Sequence, residues 1–222
     1  MKKLTLLFAI LLIVVTTRPV LAHEANREPV FKIFGIAEPS LLPDSGFYFF
    51  KEFGRGFRRI FTFDAVKKAE LELEIADEKL AELEKVATKS DAPEDAIKDA
   101  FDNYLEAHER LAQRLESLKG KNKNVDALLG KLADRVIEHE ELFNALEDEF
   151  KKEETEKATK EIAKAVKKAT ELDEEKFREK IKAKIEENEE DDEEELEAIE
   201  DIFEADDELE GLEEDLDDIL ER

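Results

Sequence analysis

Residues 64–87 read DAVKKAELELEIADEKLAELEKVA. Within them Ala69, Leu73, Ala76, Leu80, Leu83 and Ala87 recur at alternating spacings of four and three. That is the a/d register of a helix burying one seam. Charged residues fill the positions between, with Glu74, Glu78 and Glu82 four apart and Lys79 and Lys85 among them. No Pro or Gly interrupts the run, and Asp64 stands just before it as a strong N-cap residue. The pattern predicts a helix from Asp64 to about Lys89.

Two more seams follow. Ser90-Asp91-Ala92-Pro93-Glu94 reads as a second helix start, with Pro93 in the first turn. Its seam is Ile97, Ala100, Tyr104, Ala107 or His108, Leu111, Leu115 and Leu118. Gly120-Lys121-Asn122-Lys123-Asn124 stops it and turns the chain. The third seam is Leu129, Leu132, Val136, His139, Phe143, Leu146 and Phe150. No Pro follows Pro93, so this helix is expected to run on past Phe150. Short connections place successive helices antiparallel. The expected class is therefore all-α, a three-helix bundle or long antiparallel helical hairpin over 44–150. A charged helical extension follows over 151–185, marked by Ile162, Val166, Ala169, Phe177, Ile181 and Ile185, then an acidic tail over 186–222, expected to be mostly disordered until a cation or partner neutralises it.

Upstream, residues 23–43 read as a linker in which Phe31, Ile33, Phe34 and Ile36 form an apolar patch able to dock on the body. Pro43-Asp44-Ser45-Gly46 is turn chemistry, with Asp44 or Ser45 as an N-cap. A short helix then carries Phe49, Phe53, Phe57 and Phe61, each four apart on one face. Lys51, Arg55, Arg58 and Arg59 lie off that stripe. Gly54 and Gly56 each weaken the helix by about 1 kcal/mol relative to Ala. The stripe is expected to close one end of the bundle. The alternative is peripheral contact with a membrane interface through those phenylalanines.

Composition bounds the rest. Charged residues make up 43% of the 222 and hydrophobic ones 41%, with only 7 Gly and 5 Pro, which favours long amphipathic helices over a sandwich or barrel. The absence of Cys excludes disulfides, thiolate metal sites and a lipoprotein cysteine. Met1–Ala22 has the form of a secretory signal: Lys2 and Lys3, an apolar run from Leu4 to Val15, then Val20-Leu21-Ala22 as a cleavage site. The mature product is expected outside the cytoplasm, secreted or in the cell envelope. From Glu186 to Arg222 there are 23 acidic residues against one basic, a net of −22 of the chain's −26, so the preceding residues are nearly balanced. Charge of this sign disfavours nucleic acid as a partner.

Leu42-Pro43-Asp44-Ser45-Gly46-Phe47-Tyr48-Phe49-Phe50-Lys51, then Phe61-Thr62-Phe63-Asp64 with Lys67-Lys68-Ala69-Glu70-Leu71, and Glu78-Lys79-Leu80-Ala81-Glu82, together resemble a prokaryotic family of exported helical proteins, the domain of unknown function 5667. The family pattern is Leu-Pro-x-Ser-Pro followed by Tyr and Lys, then a Thr-Phe-Asp-Pro junction. Here Gly46 and Ala65 stand where Pro is usual, which loosens two junctions without changing the plan. The resemblance covers about 40–150. It implies an extracytoplasmic helical domain and no activity, since the family has none assigned.

His108 and His139 fall at similar heights on facing helices if the hairpin turns near Asn122, with Glu109, Glu138 and Glu140 beside them. Inward His and Glu residues hold metals in helix bundles, but the Glu-x-x-His spacing of such sites is absent, since Leu105 and Val136 stand three before the two histidines. Two histidines at the edge of a seam is the plainer reading. His23, first after cleavage, lacks the β-rich scaffold of N-terminal copper sites. In the tail, Asp206, Glu208, Glu210, Glu214 and Asp217 fall at ligand positions of an EF-hand loop around Gly211. Glu213 stands where an apolar residue is normal, so weak, diffuse Ca²⁺ binding by the whole tail is the stronger expectation. Nucleophilic catalysis lacks parts, so no enzyme is expected. The reading is a non-enzymatic interaction or scaffolding protein, with an envelope protein or basic surface as partner and self-association possible through the Leu73–Leu83 seam. Its alternative is divalent-cation binding by the tail.

Overall fold

The computed structural model describes residues 28–89, 91–121, 123–145 and 152–187, and all regular structure among them is α-helical. By internal contacts the chain divides into two units. One spans Glu24–Ile181; of the other, only residues 182–187 are among those described. The helices are α1 (Val30–Ile33), α2 (Tyr48–Phe61), α3 (Ala65–Ala87), α4 (Glu94–Glu116), α5 (Asp126–Ala145), α6 (Lys152–Thr170) and α7 (Glu174–Glu187). None is long and apolar enough to cross a membrane.

α3 is the centre of the fold. Asp64 caps it as expected, its Oδ1 accepting from the backbone N–H of Val66 and Lys67 at 2.9 and 3.1 Å. Every residue of the predicted seam is buried. So are Leu71, Ile75, Ala81 and Val86 on other sides, along with Glu72, Asp77, Lys79 and Glu82. The helix is enclosed because α1, α2, α4 and α5 all pack against it. A charge buried without a partner is costly, and each of these four charged residues is paired.

α4 returns antiparallel to α3, and Gly120 (φ +69°) takes the left-handed conformation past its end. Pro93 occupies the N-cap position, one residue before the first turn where it was expected. α5 packs against α3 and brings His139 to Tyr104 and His108 of α4. The predicted continuation past Phe150 falls partly on residues 146–151, outside those described. Beyond them the direction has reversed. Ala158 joins the core cluster of Ala96, Ala100, Phe101 and Tyr104, and Lys168 reaches Glu116 at 2.7 Å. α6 therefore lies parallel to α4, with Ala158, Ala165 and Ala169 buried. Small residues at these positions let an otherwise polar helix approach closely. Phe177 and Ile181 of α7 are buried too.

The linker patch docks as anticipated. Val30, Phe34 and Leu42 are buried in one cluster with Leu80, Leu83, Val86 and Tyr104. The Val30 N–H donates to Glu84 Oε2 at 2.8 Å, and Gly35 (φ +64°) turns the chain after α1. Ser45 shapes the following turn, accepting from the Phe47 N–H, and neither it nor Asp44 caps α2.

α2 overturns the expectation that its phenylalanines close the bundle. The helix packs on α3 with its basic side inward and its aromatic side to solvent. The reason lies on α3, whose Glu72, Glu74, Glu78 and Glu82 form a row of carboxylates. Phenylalanines laid on that row would leave the buried carboxylates unpaired, at a cost beyond what their own burial returns. The basic side of α2 answers the row instead.

Candidate functional site

The seam between α2 and α3 is a two-helix ladder running antiparallel. Arg59 forks onto Glu72, with contacts of 2.9–3.0 Å. Arg58 bridges Glu74 and Glu78 at 2.7 and 2.8 Å. Arg55 joins Glu78 and Glu82, and Lys51 also reaches Glu82 at 2.6 Å. Lys79, itself buried, contacts Glu52 and donates to Tyr48 and Asn103. Bidentate and shared geometry of this kind fixes orientation as well as adding energy.

The electrostatics follow from the enclosure. Burial works against the Arg55 charge, but Glu82, Glu78 and Glu52 outweigh it and hold the guanidinium above its ordinary range. The Tyr48 phenol is pushed far up by burial and by the Glu82 carboxylate that accepts its hydrogen bond. Burial and the neighbouring Arg55 lower Lys79. All four basic residues of α2 are thus committed to the protein itself.

The opposite side of α2 has no such partners. Phe47, Phe49, Phe50, Phe53, Phe57, Ile60, Phe61 and Phe63 are each between 45 and 82% exposed. Phe49 and Phe50 pack ring to ring at 4.2 Å between centroids, Phe53 and Phe57 at 4.8 Å, and Phe57 and Phe61 at 5.8 Å. The rings line one side of the helix and touch in two groups, Phe47 to Phe50 and Phe53 to Phe61. Soluble monomers rarely expose an apolar patch this large without a use for it.

A second constellation lies in the core. His108 Nε2 and His139 Nδ1 are 3.2 Å apart, so the two histidines meet. The Tyr104 hydroxyl is 3.1 Å from the same His139 nitrogen. His139 Nε2 faces Asp77 Oδ1 at 3.3 Å, while Arg135 Nε donates to the other Asp77 oxygen at 2.9 Å. Arg135 also lies 4.3 Å over the Phe34 ring. With His139 Nε2–H donating to Asp77 Oδ1, His139 Nδ1 is left as an acceptor facing two donors. His108 Nδ1 is buried with no hydrogen-bond partner among the described residues. Burial, reinforced by His139, pushes the His108 pKa well below its ordinary value, so the ring is neutral. Burial and then Asp77 raise Tyr104.

Of the predicted metal ligands, His108 and His139 come together. Glu138 instead pairs with Arg135 at 3.3 Å, and Glu109 accepts from Gln113. Among the described residues no group of three or more His, Asp or Glu is placed to hold a metal. Asp206, Glu208, Glu210, Glu214 and Asp217, like His23, lie outside the described residues. Sequence reading missed Asp77, Arg135 and Tyr104 as partners of the histidines. No local motif links them; only the pairing of α3, α4 and α5 does.

The model of a family described as Domain of unknown function (DUF5667) matches residues 40–136. That span runs from the turn before α2 well into α5, and it contains the whole α2–α3 ladder. No curated protein and no solved structure matches the chain.

Proposed function

We propose, for a chain whose residues 40–136 are a member of the DUF5667 family, that the protein is a non-enzymatic interaction module acting outside the cytoplasm and docking through the outward face of α2. One observation carries this reading: the basic residues of α2 are spent on α3, and its phenylalanines are left facing solvent. The exposed rings forgo about 1.5–3 kcal/mol each in the isolated chain, and a partner docked on them recovers it. Export is supported by the Met1–Ala22 segment.

The experiment is position-specific photo-crosslinking in the producing cell. p-Benzoylphenylalanine placed at Phe53 or Phe57 gives adducts well above those from the exposed Lys98 on α4. Equal yields at all three positions would sink the reading.

A second reading concerns the tail. Its net charge of −22 within 37 residues supports weak Ca²⁺ binding beside the docking role.

A further inference from the structure

We infer that the occupant of the aromatic face is a second copy of this chain, two α2 helices packing face to face about a two-fold axis. This deepens the docking reading and rests on it. Three observations favour this occupant.

The first is area. An aromatic side chain offers roughly 150–250 Å² for burial. At the exposures given above, the seven phenylalanines and Ile60 present on the order of 1,000 Å² on that side. A stable interface needs about 800 Å² from each partner. One helix therefore supplies a full half of an isologous interface, in which the same patch meets itself.

The second is charge. Self-pairing fails when a patch carries unpaired like charges. Here Lys51, Arg55, Arg58 and Arg59 are each neutralised by glutamates of their own α3. The large net charge of −22 belongs to residues 186–222, and residues 23–185 sum to −7. The same observation argues against a bilayer, because an interfacial helix relies on cations free to meet anionic headgroups beside its apolar face. It argues equally against the chain's own acidic tail, which finds no unspent positive charge here.

The third is composition. The face carries rings and one Ile and no hydrogen-bonding side chain, the character of a symmetric, hydrophobic homodimer core. Gly54 and Gly56 flank it, and a Cβ added at either would meet nothing within 4 Å. Among the described residues nothing crowds these two helix-weakening positions, and their bare backbone leaves room for a second helix to approach closely.

Sedimentation equilibrium over a dilution series tests the inference on the mature chain, residues 23–222. The expected result is reversible dimerisation. Phe53→Asp/Phe57→Asp is expected to weaken it at least a thousandfold, since four ring burials are lost per dimer. Unchanged circular dichroism shows that the variant is folded. A wild-type chain that stays monomeric at every concentration overturns the inference. If that monomer then floats with zwitterionic or anionic vesicles in a Phe53- and Phe57-dependent way, the docking reading survives with a bilayer as occupant. If it neither self-associates, floats, nor crosslinks above the Lys98 background, both fall. A dimer that the double variant leaves intact also overturns the inference, because it pairs through another surface.

Discussion

Arg55, 2% exposed, sets its Nη2 2.6 Å from Oε1 of a fully buried Glu82, and this pair fixes which side of α2 faces the bundle. Around it Tyr48, Lys51, Glu52, Glu78 and Lys79 complete a closed polar network. Several of these, Tyr48, Lys51, Glu78, Lys79 and Glu82, also lie in the segments that carry the family resemblance. The fold is thereby tied to a helix whose apolar residues remain available.

Removing one partner of this pair is expected to be costly. Arg55→Leu leaves the Glu82 carboxylate buried with less compensation, and the expected loss is about 3 kcal/mol in urea unfolding. Arg55→Leu/Glu82→Leu is expected to recover most of it, because Lys79 keeps Glu52 and Glu78 keeps Arg58 as partners. Equal destabilisation in the single and double variants would show that packing, not charge, dominates.

His108 predicts a pH dependence with a definite sign. Its folded pKa is lowered by burial and by His139, so the unfolded chain binds the extra proton first. Stability is therefore full above the ordinary histidine pKa of about 6.5 and falls as pH drops below it. His139, Tyr104, Asp77 and Arg135 line the same network. His108→Phe is expected to flatten the slope of unfolding free energy between about pH 6.5 and 5 relative to wild type. An unchanged slope would contradict the assignment.

Gly54 and Gly56 weaken a helix at positions where an added Cβ would meet nothing within 4 Å among the described residues. Gly54→Ala and Gly56→Ala are each expected to raise the thermal stability of dilute protein, by up to about 1 kcal/mol. A loss at either site would reveal a constraint within the monomer.

The seams were legible in the sequence because burial at every third or fourth residue is a local property. Ala69 through Ala87 could be placed for that reason, and so could the Asp64 cap. What was not legible depends on long-range pairing. Asp77 and Lys79 look like ordinary surface charges until four helices enclose α3. Likewise the Phe49–Phe61 stripe has one apolar side by any reading, but which side meets the bundle is decided by carboxylates some twenty residues away. Hydrophobic periodicity alone points it the wrong way. The histidines were placed at matching heights correctly, while their partner Asp77 carries no sequence signal at all.

The tail and the leader remain sequence expectations with direct tests. Calorimetric titration with Ca²⁺ is expected to show weak binding and a gain of helix by circular dichroism in residues 23–222, and neither in a chain ending at Ile185. Identical behaviour of the two would remove the cation reading. N-terminal sequencing of the protein from its producing cell is expected to begin at His23, and a retained Met1 would remove the cleavable signal.

The orientation of α2 is the central claim, and urea unfolding of Phe53→Asp/Phe57→Asp at low protein concentration tests it most directly. With the aromatic side outward, each substitution is a surface change, and the stability and helix content of the dilute protein stay within about 0.5 kcal/mol per site of wild type. If the rings instead sealed the core, each loss would cost about 3–5 kcal/mol and the double variant would unfold.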